Sequence, residues 1–503
     1  MGTLAGTSVV EGVLIDWVGA RPEAHLDLPA EWLTDEQVAG ELGRIERDRA
    51  RQTAREAQLI LRLAELRPDT DDPPPGTPGA RRRSWRKTDP EFAGVSEFFV
   101  DEVAHALNLG RGTAAFRARR AFTWRDNLPA TFALLRRGGI DERRAGVLAD
   151  ALQATTPALA QAVEAALLPG AGELSLARLR ERALALLAEL DAAAVEERRA
   201  EAQRAADVRV APTVDGMATL TGELTVEEAA ACYAVIDQLA AMAKADGDER
   251  PIGQIRAAVM AMLIRRPADH GLGGVSVQLT VTAALDGLAG DTAAGGEVAG
   301  FAVTAAQLRE LLARVEALGL TTPAGGSLSF ALTDQRGRLL ATVTAGELAR
   351  LAATGCPQHP DADPDPDADA DADADDGCGC AVLGMPDDTA GYEPRAGQRR
   401  FVATRDRRCR MPNCGQRVGW ADLDHVVAHA DGGATSCANL CCACRSHHRL
   451  KTFARGWRFR MDPDGTLHVT SPSGITRTTR PPGLRPPEPP PSPPDPADDP
   501  PPF

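Results

Sequence analysis

A chain of 503 residues is too long for one compact domain of ordinary size and can form two or three domains, each with its own core. Aromatic residues make up only 4% of the sequence while Ala and Leu dominate, which favours helices that pack through small side chains. The formal net charge of −15 excludes indiscriminate binding of nucleic acid by the whole molecule, because attraction to phosphate needs clustered Lys and Arg.

The first predicted element is a long helix. Thr34 and Gln37 have the spacing of a capping box, and a helical repeat with many charged residues continues to about Leu66. Its length favours an exposed or hairpin-forming helix.

Residues 100–122 (VDEVAHALNLGRGTAAFRARRAF) have the pattern of two helices joined by a Gly-containing turn. Arg111, Arg117, Arg119 and Arg120 lie on the second helix, as in a DNA-reading helix-turn-helix. Helix pairs of this kind are common in any α domain, so we favour a packing role over DNA reading.

Short β elements follow in an otherwise helical sequence. Residues 208–224 predict a hairpin that turns at Asp215-Gly216, residues 275–281 alternate as a strand, and residues 327–344 predict a second hairpin. Capping boxes at Thr225/Glu228 and Thr304/Gln307 begin further helices. We therefore predict an α-rich N-terminal domain over residues 30–355 with small β hairpins, and we find no catalytic constellation in it.

Two segments have compositions that do not support a packed core. Residues 356–390 contain an acidic, low-complexity run, and residues 481–503 are rich in proline. Both are predicted to be disordered. They flank a C-terminal domain at residues 391–480.

The sequence contains no run of 18 apolar residues and no basic-then-apolar leader, so we predict a cytoplasmic protein without a membrane partner. Six of the ten cysteines fall between Cys409 and Cys444. In a cytoplasmic chain, such clustering with histidines indicates metal binding more than disulfides.

The C-terminal cysteines form two short-spaced pairs. Cys409-x4-Cys414 and Cys444-x2-His447 stand about 30 residues apart, a spacing that suits a tetrahedral structural zinc. Cys441-x2-Cys444 is an equally permissible pair. We favour His447 because Cys441 and Cys442 lie in a predicted strand, and the exchange of Cys441 for His447 stays open.

A second set of residues interleaves with the first: Asp424, His425, Asn439 and His448. A carboxylate and an imidazole can hold a divalent cation with positions left for phosphate and water, so we assign Asp424 and His448 to such a metal. His425 is the predicted general base, since a neutral imidazole can take a proton from water near neutral pH. Asn439 ends a Gly-rich loop and is expected to tie that loop and orient His425.

The region from about Tyr392 to Trp457 resembles the HNH endonuclease domain of many actinobacterial proteins. The resemblance rests on RDRRCRMPNC, LDHVVAHADGG, ANLCCACRSHHRLK and a following GW. The helical region before it resembles the domain of unknown function that accompanies this nuclease, notably in DGMATLTGELTVEEA and GEVAGFAVTAAQLRELLA. The CCAC sequence departs from the usual pattern, which leaves the choice of zinc ligands open.

This resemblance implies a ββα-metal fold with a structural zinc knuckle and a catalytic Mg²⁺ or Mn²⁺. It implies the same roles for the two sets: Asp424 and His448 as ligands of the divalent metal, His425 as base, Asn439 as orienter, and Cys409, Cys414, Cys444 and His447 as zinc ligands. His429, in the same motif, is interpreted as a solvated loop residue in preference to a phosphate contact.

The charge of the C-terminal module is consistent with a DNA partner. Residues 395–480 contain 16 Lys and Arg against 6 Asp and Glu, a local excess of +10 that leaves the rest of the chain at −25. Arginines 445, 449, 455, 458 and 460, with Lys451, are expected to form a rim that contacts phosphate.

The expected function is therefore a metal-dependent HNH endonuclease that hydrolyses DNA. The alternative is a non-catalytic, zinc-stabilised DNA-binding or regulatory protein. A homo-oligomer formed through the N-terminal helices stays open.

Overall fold

The computed structural model describes residues 29–77, 79–80, 92–213, 216–265, 281–284, 295–298, 301–314, 328–334, 336–354, 383–417 and 421–484. The chain divides into two compact units, residues 1–149 with 320–503 and residues 150–319. This division passes through the predicted N-terminal domain, and the predicted domain bounds stay a prediction. The described residues are mainly helical with small antiparallel sheets, as expected.

Before residue 153, the described part of the chain forms the α-helices α1 (Asp35–Glu65), α2 (Phe99–Leu107), α3 (Arg111–Asp126), α4 (Pro129–Arg137) and α5 (Glu142–Leu152). The capping box of Thr34 and Gln37 is present at the start of α1. Buried alanines such as Ala50, Ala54, Ala118 and Ala121 lie on α1 and α3. Small side chains therefore allow these helices to approach closely.

The predicted helix-turn-helix is formed by α2 and α3, with Asn108 in the left-handed conformation between them. Three of its four arginines contact other side chains of the chain. Arg111 forms an ion pair with Asp101 of α2, Arg117 pairs with Glu56 of α1, and Arg120 lies over the ring of Phe116. These contacts support the packing role that the sequence favoured.

The second unit contains helices α6 to α11 and strands β1 to β5. In chain order these are α6 (Pro157–Leu167), α7 (Leu176–Leu190), α8 (Ala192–Ala205), β1 (Val208–Pro212), β2 (Ala218–Gly222), α9 (Val226–Ala245), α10 (Ile252–Arg265), β3 (Val281–Ala283), β4 (Gly296–Val298), β5 (Phe301–Val303) and α11 (Ala305–Arg314).

Several predictions of local structure in the second unit are confirmed. Strands β1 and β2 pair antiparallel as the expected hairpin, and both capping boxes, at Thr225 and Thr304, are present. Asp215 of the predicted turn and residues 275–280 of the predicted strand lie outside the described residues.

The first unit continues with the C-terminal elements. They are β6 (Ser329–Thr333), β7 (Leu339–Thr344), α12 (Ala345–Thr354), α13 (Ala396–Asp406), β8 (Ala421–His425), β9 (Leu440–Cys444), α14 (Arg445–Phe453), β10 (Arg458–Met461), β11 (Leu467–Thr470) and β12 (Thr476–Thr479). β6 and β7 form the predicted second hairpin, and β10, β11 and β12 form one antiparallel sheet. Residues 356–382 of the predicted linker and 485–503 of the predicted tail lie outside the described residues.

Strands β8 and β9 pair antiparallel, and α14 follows β9 without a loop. The register places Asp424 opposite Cys441 and His425 opposite Leu440. This β-β-α arrangement carries most of the residues that the sequence singled out. None of the helices in the described part of the chain combines the length and apolarity needed to cross a bilayer.

The C-terminal elements share a core with the N-terminal helices of the same unit. Phe98, immediately before α2, packs among Met411, Val426, Leu450 and Val469. The α2 helix is therefore part of the structure that supports β8, β9 and α14.

A buried ion cluster joins the C-terminal elements. Asp406, with no exposed side-chain area, accepts hydrogen bonds from Arg405 (2.8 Å), Arg410 (2.7 Å) and the backbone N–H of Cys442 (2.8 Å). The two guanidiniums in turn donate to the carbonyls of Cys437, Leu440, Gly465 and Thr479. Burial by itself raises the pKa of Asp406, but the two arginines outweigh burial and lower it.

Replacing this carboxylate is expected to destabilise the first unit. Asp406→Asn leaves two buried guanidiniums without a counter-charge, so the free energy of unfolding should fall by about 3–5 kcal/mol. The matched control is Glu46→Gln, which breaks the exposed pair with Arg49 on α1 and should cost less than about 1 kcal/mol. Urea denaturation followed by circular dichroism measures both, and equal midpoints would contradict the assigned role of Asp406.

Candidate functional site

Four potential metal ligands converge at the start of α14. The ligand atoms of Cys409, Cys414, Cys444 and His447 all lie within 4.8 Å of one another. His447 Nδ1 is 3.4 Å from Cys409 Sγ and 3.1 Å from Cys444 Sγ, and the sulfurs of Cys414 and Cys444 are 4.0 Å apart. A tetrahedron with ordinary Zn–S and Zn–N bonds has edges of about 3.5–3.8 Å. The cluster could therefore hold a metal ion such as zinc.

Local backbone structure brings these ligands together. The N–H of Cys414 donates to the carbonyl of Met411 (3.1 Å), and Asn413 adopts a left-handed conformation, which produces the tight turn of a knuckle. Cys444 is the N-cap residue of α14, and His447 lies in its first turn. The spacing of each pair thus matches a turn and a helix start.

Cys441, the alternative ligand, lies outside this cluster. Its side chain packs in the apolar core with Val426 and Leu450. Burial raises the pKa of the Cys441 thiol well above its usual value. The pKa of Cys444 is shifted in the opposite direction, because the thiols of Cys409 and Cys414 hydrogen-bond to its sulfur. The geometry favours the ligand set with His447.

A second group of polar side chains surrounds Asp424. Its Oδ1 is 3.7 Å from His448 Nε2 and accepts a hydrogen bond from Lys451 (3.2 Å). Its Oδ2 is buried and has no hydrogen-bond partner among the described residues. A buried carboxylate oxygen without a partner is costly unless something else, such as a cation, satisfies it.

His447 and His448 address different neighbours although they are consecutive. His447 faces the cysteines, whereas His448 lies between Asp424 and Asp422, with its Nδ1 3.4 Å from Asp422 Oδ2. Successive residues of a helix point about 100° apart, which produces this divergence.

His425 lies at the end of β8 and is almost fully buried. Its Nε2 is 2.8 Å from the hydroxyl of Thr435, which itself donates to the carbonyl of Tyr392. The tautomer with the proton on Nε2 and the lone pair on Nδ1 suits this chain of bonds, since Thr435 then accepts from His425 and donates to Tyr392. Burial lowers the pKa of the imidazole, so the neutral form is favoured near pH 7.

Aromatic rings enclose His425. The ring of Tyr392 stacks on it at a centroid distance of 5.2 Å, and the ring of His429 lies 5.7 Å away. His429, which the sequence suggested was a solvated loop residue, therefore belongs to the surroundings of His425.

Asn439 ties the loop between β8 and β9. Its amide accepts a hydrogen bond from the N–H of Val427 (2.8 Å) and donates to the carbonyls of Val427 (3.0 Å) and Ala434 (2.9 Å). Within the described residues no hydrogen bond joins Asn439 to His425, and the direct contact with the imidazole is made by Thr435. Asn439 thus acts on the loop that carries Thr435.

Three neighbours of the site, Asp422, Thr435 and Tyr392, were missed by the sequence reasoning, and Lys451, expected at the phosphate rim, donates to Asp424. Asp422 and Lys451 had a detectable signal, because Asp422 lies on the same strand face as Asp424 and Lys451 is three residues after His448 on a helix. Thr435 and Tyr392 had none, since loop conformation decides their positions.

The expected phosphate rim is only partly available. Arg449 donates to Glu97 and to the carbonyl of Gly79, and it is mostly buried between them. Three arginines of the rim form ion pairs on the surface: Arg455 with Asp71, Arg445 with Asp422 and Arg460 with Asp462. Arg449 is therefore a packing residue, contrary to the expectation from sequence, whereas Arg445, Arg455 and Arg460 keep two thirds or more of their side chains exposed.

Removing the loop tie is expected to free the backbone around His425. Asn439→Ala deletes three hydrogen bonds, which corresponds to a local loss of about 1–3 kcal/mol. The amide of Val427 should then exchange with deuterium faster, by a factor that hydrogen-exchange mass spectrometry can measure. Asp431→Asn, an exposed change in the same loop, serves as the control and should leave the exchange rate unaltered; equal rates in all three proteins would refute the role of Asn439.

Comparison with known proteins identifies relatives of parts of the chain. Residues 39–326, more than half of its length, match the model of a family described as a domain of unknown function, DUF222. The chain is 47% identical over 90 residues to Uncharacterized protein Rv3776 of Mycobacterium tuberculosis, an alignment that covers 18% of this chain and 17% of that protein. It is 46% identical over 99 residues to Uncharacterized protein Rv2100 of the same organism, covering 19% and 18%.

The chain thus spans less than a fifth of the length of these curated relatives. No solved structure matches it.

Proposed function

The chain belongs to the DUF222 family, and we propose that its C-terminal module is a metal-dependent HNH endonuclease that hydrolyses phosphodiester bonds in DNA. The β8-β9-α14 arrangement is the ββα-metal fold in this proposal. The observation that carries it is the pairing of a buried, partnerless carboxylate oxygen on Asp424 with a neutral imidazole at the next residue.

The residues around Asp424 fit a divalent cation. Asp424 Oδ2 lacks a partner among the described residues, and the imidazole Nε2 of His448 lies 3.7 Å from the other oxygen of this carboxylate, Oδ1. Oxygen and imidazole donors suit Mg²⁺ or Mn²⁺ better than thiolates do. When bound, such an ion would offset the negative charge that builds up on the phosphate during hydrolysis.

His425 is suited to take a proton from water. Its Nε2 is committed to Thr435, which leaves the Nδ1 lone pair as the acceptor, and its lowered pKa keeps the ring neutral at physiological pH. Stacking on Tyr392 restricts rotation of the ring. The base is therefore oriented before substrate binds.

Positive charge near Asp424 supports a polyanionic substrate. Lys451 donates to Asp424, and Arg445 and Arg460 are exposed on the same module, whose net charge is +10. Such charges position a phosphate backbone without selecting a base sequence.

The cysteine cluster is proposed to be a structural zinc site with Cys409, Cys414, Cys444 and His447 as ligands. All four positions of a tetrahedron are then filled by protein atoms. A closed site of this kind stabilises the fold and leaves no position for substrate. Chemistry is assigned to the Asp424 site alone.

Cleavage of plasmid DNA tests the nuclease. With Mg²⁺ or Mn²⁺, the purified full chain should nick or linearise plasmid, and His425→Ala should cut about 10²–10⁴-fold more slowly because the general base is lost. His468→Ala is the matched control, since His468 pairs with Asp462 on the β10–β12 sheet, and it should cut like wild type.

Two outcomes would contradict the nuclease assignment. Equal cutting by wild type and His425→Ala would point to a contaminating nuclease. Salt-sensitive DNA binding without any metal-dependent scission would support the alternative of a non-catalytic DNA-binding protein.

The zinc assignment has its own test. The full chain should contain about one zinc per molecule by elemental analysis, as expected for one four-ligand site. Cys409→Ser should lose it, whereas Cys441→Ala should retain it because Cys441 lies outside the ligand cluster. Retention of zinc by Cys409→Ser together with its loss from Cys441→Ala would reverse the ligand assignment.

A further inference from the structure

A carboxylate from the N-terminal helices faces the histidine of the cysteine cluster. Asp101 lies on α2, and its Oδ1 is 3.3 Å from His447 Nε2. Both side chains are almost fully buried, at 3% and 8% exposed. We propose that Asp101 is a positioning residue of the metal centre, so that α2 completes a site whose ligands all lie in the C-terminal module.

The two ring nitrogens of His447 have separate partners. Nδ1 points at the sulfurs of Cys409 and Cys444, and Nε2 points at Asp101. An imidazole that donates Nε2–H to a carboxylate presents its lone pair on Nδ1, which is the nitrogen that a metal would bind. Asp101 thereby selects the tautomer and fixes the ring plane.

Asp101 is itself held in place. Nε of Arg111, at the start of α3, lies 3.0 Å from the same carboxylate. Burying a carboxylate at this depth is costly unless a cation and hydrogen bonds compensate it. The geometry therefore forms a chain from Arg111 through Asp101 to His447, and the turn between α2 and α3 sets the spacing of its first two members.

Other contacts dock α2 and the residues just before it onto the C-terminal module. Glu97 pairs with Arg449 at 2.7 Å, His105 contacts the carbonyl of Ile475 at 3.0 Å, and Arg477 donates to the carbonyl of His105. None of these three contacts involves a residue of the cysteine cluster, so they dock this segment independently of the bond between Asp101 and His447.

A plain structural role makes a different prediction. If Asp101 only neutralises Arg111, its loss weakens docking in the way that the loss of Glu97 does, and the metal site is unaffected. If Asp101 positions His447, its loss weakens metal binding beyond any effect on docking. Glu97→Gln is therefore the matched control, because Glu97 and Asp101 lie four residues apart and only Asp101 contacts a ligand.

The experiment measures zinc affinity of the full chain by competition with a chelating dye, for wild type, Asp101→Asn and Glu97→Gln. Asp101→Asn should bind zinc about 10- to 100-fold more weakly, the usual effect of removing an outer carboxylate from a ligating histidine. Glu97→Gln should match wild type within about twofold, because no ligand loses its hydrogen-bond partner. Substitution with Co²⁺ adds a second readout, since the visible bands of the bound ion should shift in Asp101→Asn and not in Glu97→Gln.

The outcomes separate this inference from the zinc assignment of the proposed function, on which it rests. If the wild-type chain does not bind zinc tightly, the assignment of a structural zinc site is wrong. Tight binding by wild type with equal affinity and an unchanged Co²⁺ spectrum in Asp101→Asn would overturn the role of Asp101 alone. Should Asp101→Asn fail to fold, Arg111→Gln replaces it: the inference requires weaker zinc binding than wild type, and equal affinity overturns it.

Discussion

The buried carboxylate of Asp406 is the contact on which the arrangement of the C-terminal elements depends. It receives two guanidiniums and the N–H of Cys442, and those guanidiniums reach carbonyls before, within and after β9. One ion cluster thereby fixes the strand that pairs with β8 and leads directly into α14. Because a buried charge tolerates few alternative partners, the cluster specifies a single position for this strand.

The helix that follows this strand, α14, carries two consecutive histidines with different surroundings. His447 lies in the Cys/His cluster that could hold a metal ion, whereas His448 lies beside Asp424, whose Oδ2 has no hydrogen-bond partner among the described residues. The separation follows from helical geometry and needs no additional element. In the proposed function, a metal held by the Cys/His cluster would stabilise the same helix that presents His448 to the catalytic metal.

The family match and the metal cluster occupy different parts of the chain, yet they meet in the first unit. Residues 39–326 match the DUF222 model and include Glu97, Phe98 and Asp101, whereas the ligands begin at Cys409. Phe98, the N-cap residue of α2, packs in the core with Val426 and Leu450, and Asp101 of α2 places its carboxylate beside His447. The N-terminal helices are thus a structural support of the C-terminal module as well as a separate stretch of sequence.

Local features were determined by the sequence itself. Capping boxes at Thr34, Thr225 and Thr304, the hairpins, and the knuckle of Cys409 and Cys414 depend on residues a few positions apart, whose spacing is readable. The choice of His447 over Cys441 was also favoured by sequence, because a strand was expected at Cys441 and Cys442.

Long-range partners were decided only by the tertiary structure. Arg449 was expected to face phosphate, but it is buried against Glu97, 352 positions away in sequence. Asp101 meets His447, and Tyr392 and Thr435 enclose His425, through packing of distant segments. Periodicity and spacing report which face of an element is buried, whereas the residue that covers that face depends on how whole elements dock, and no local pattern encodes that.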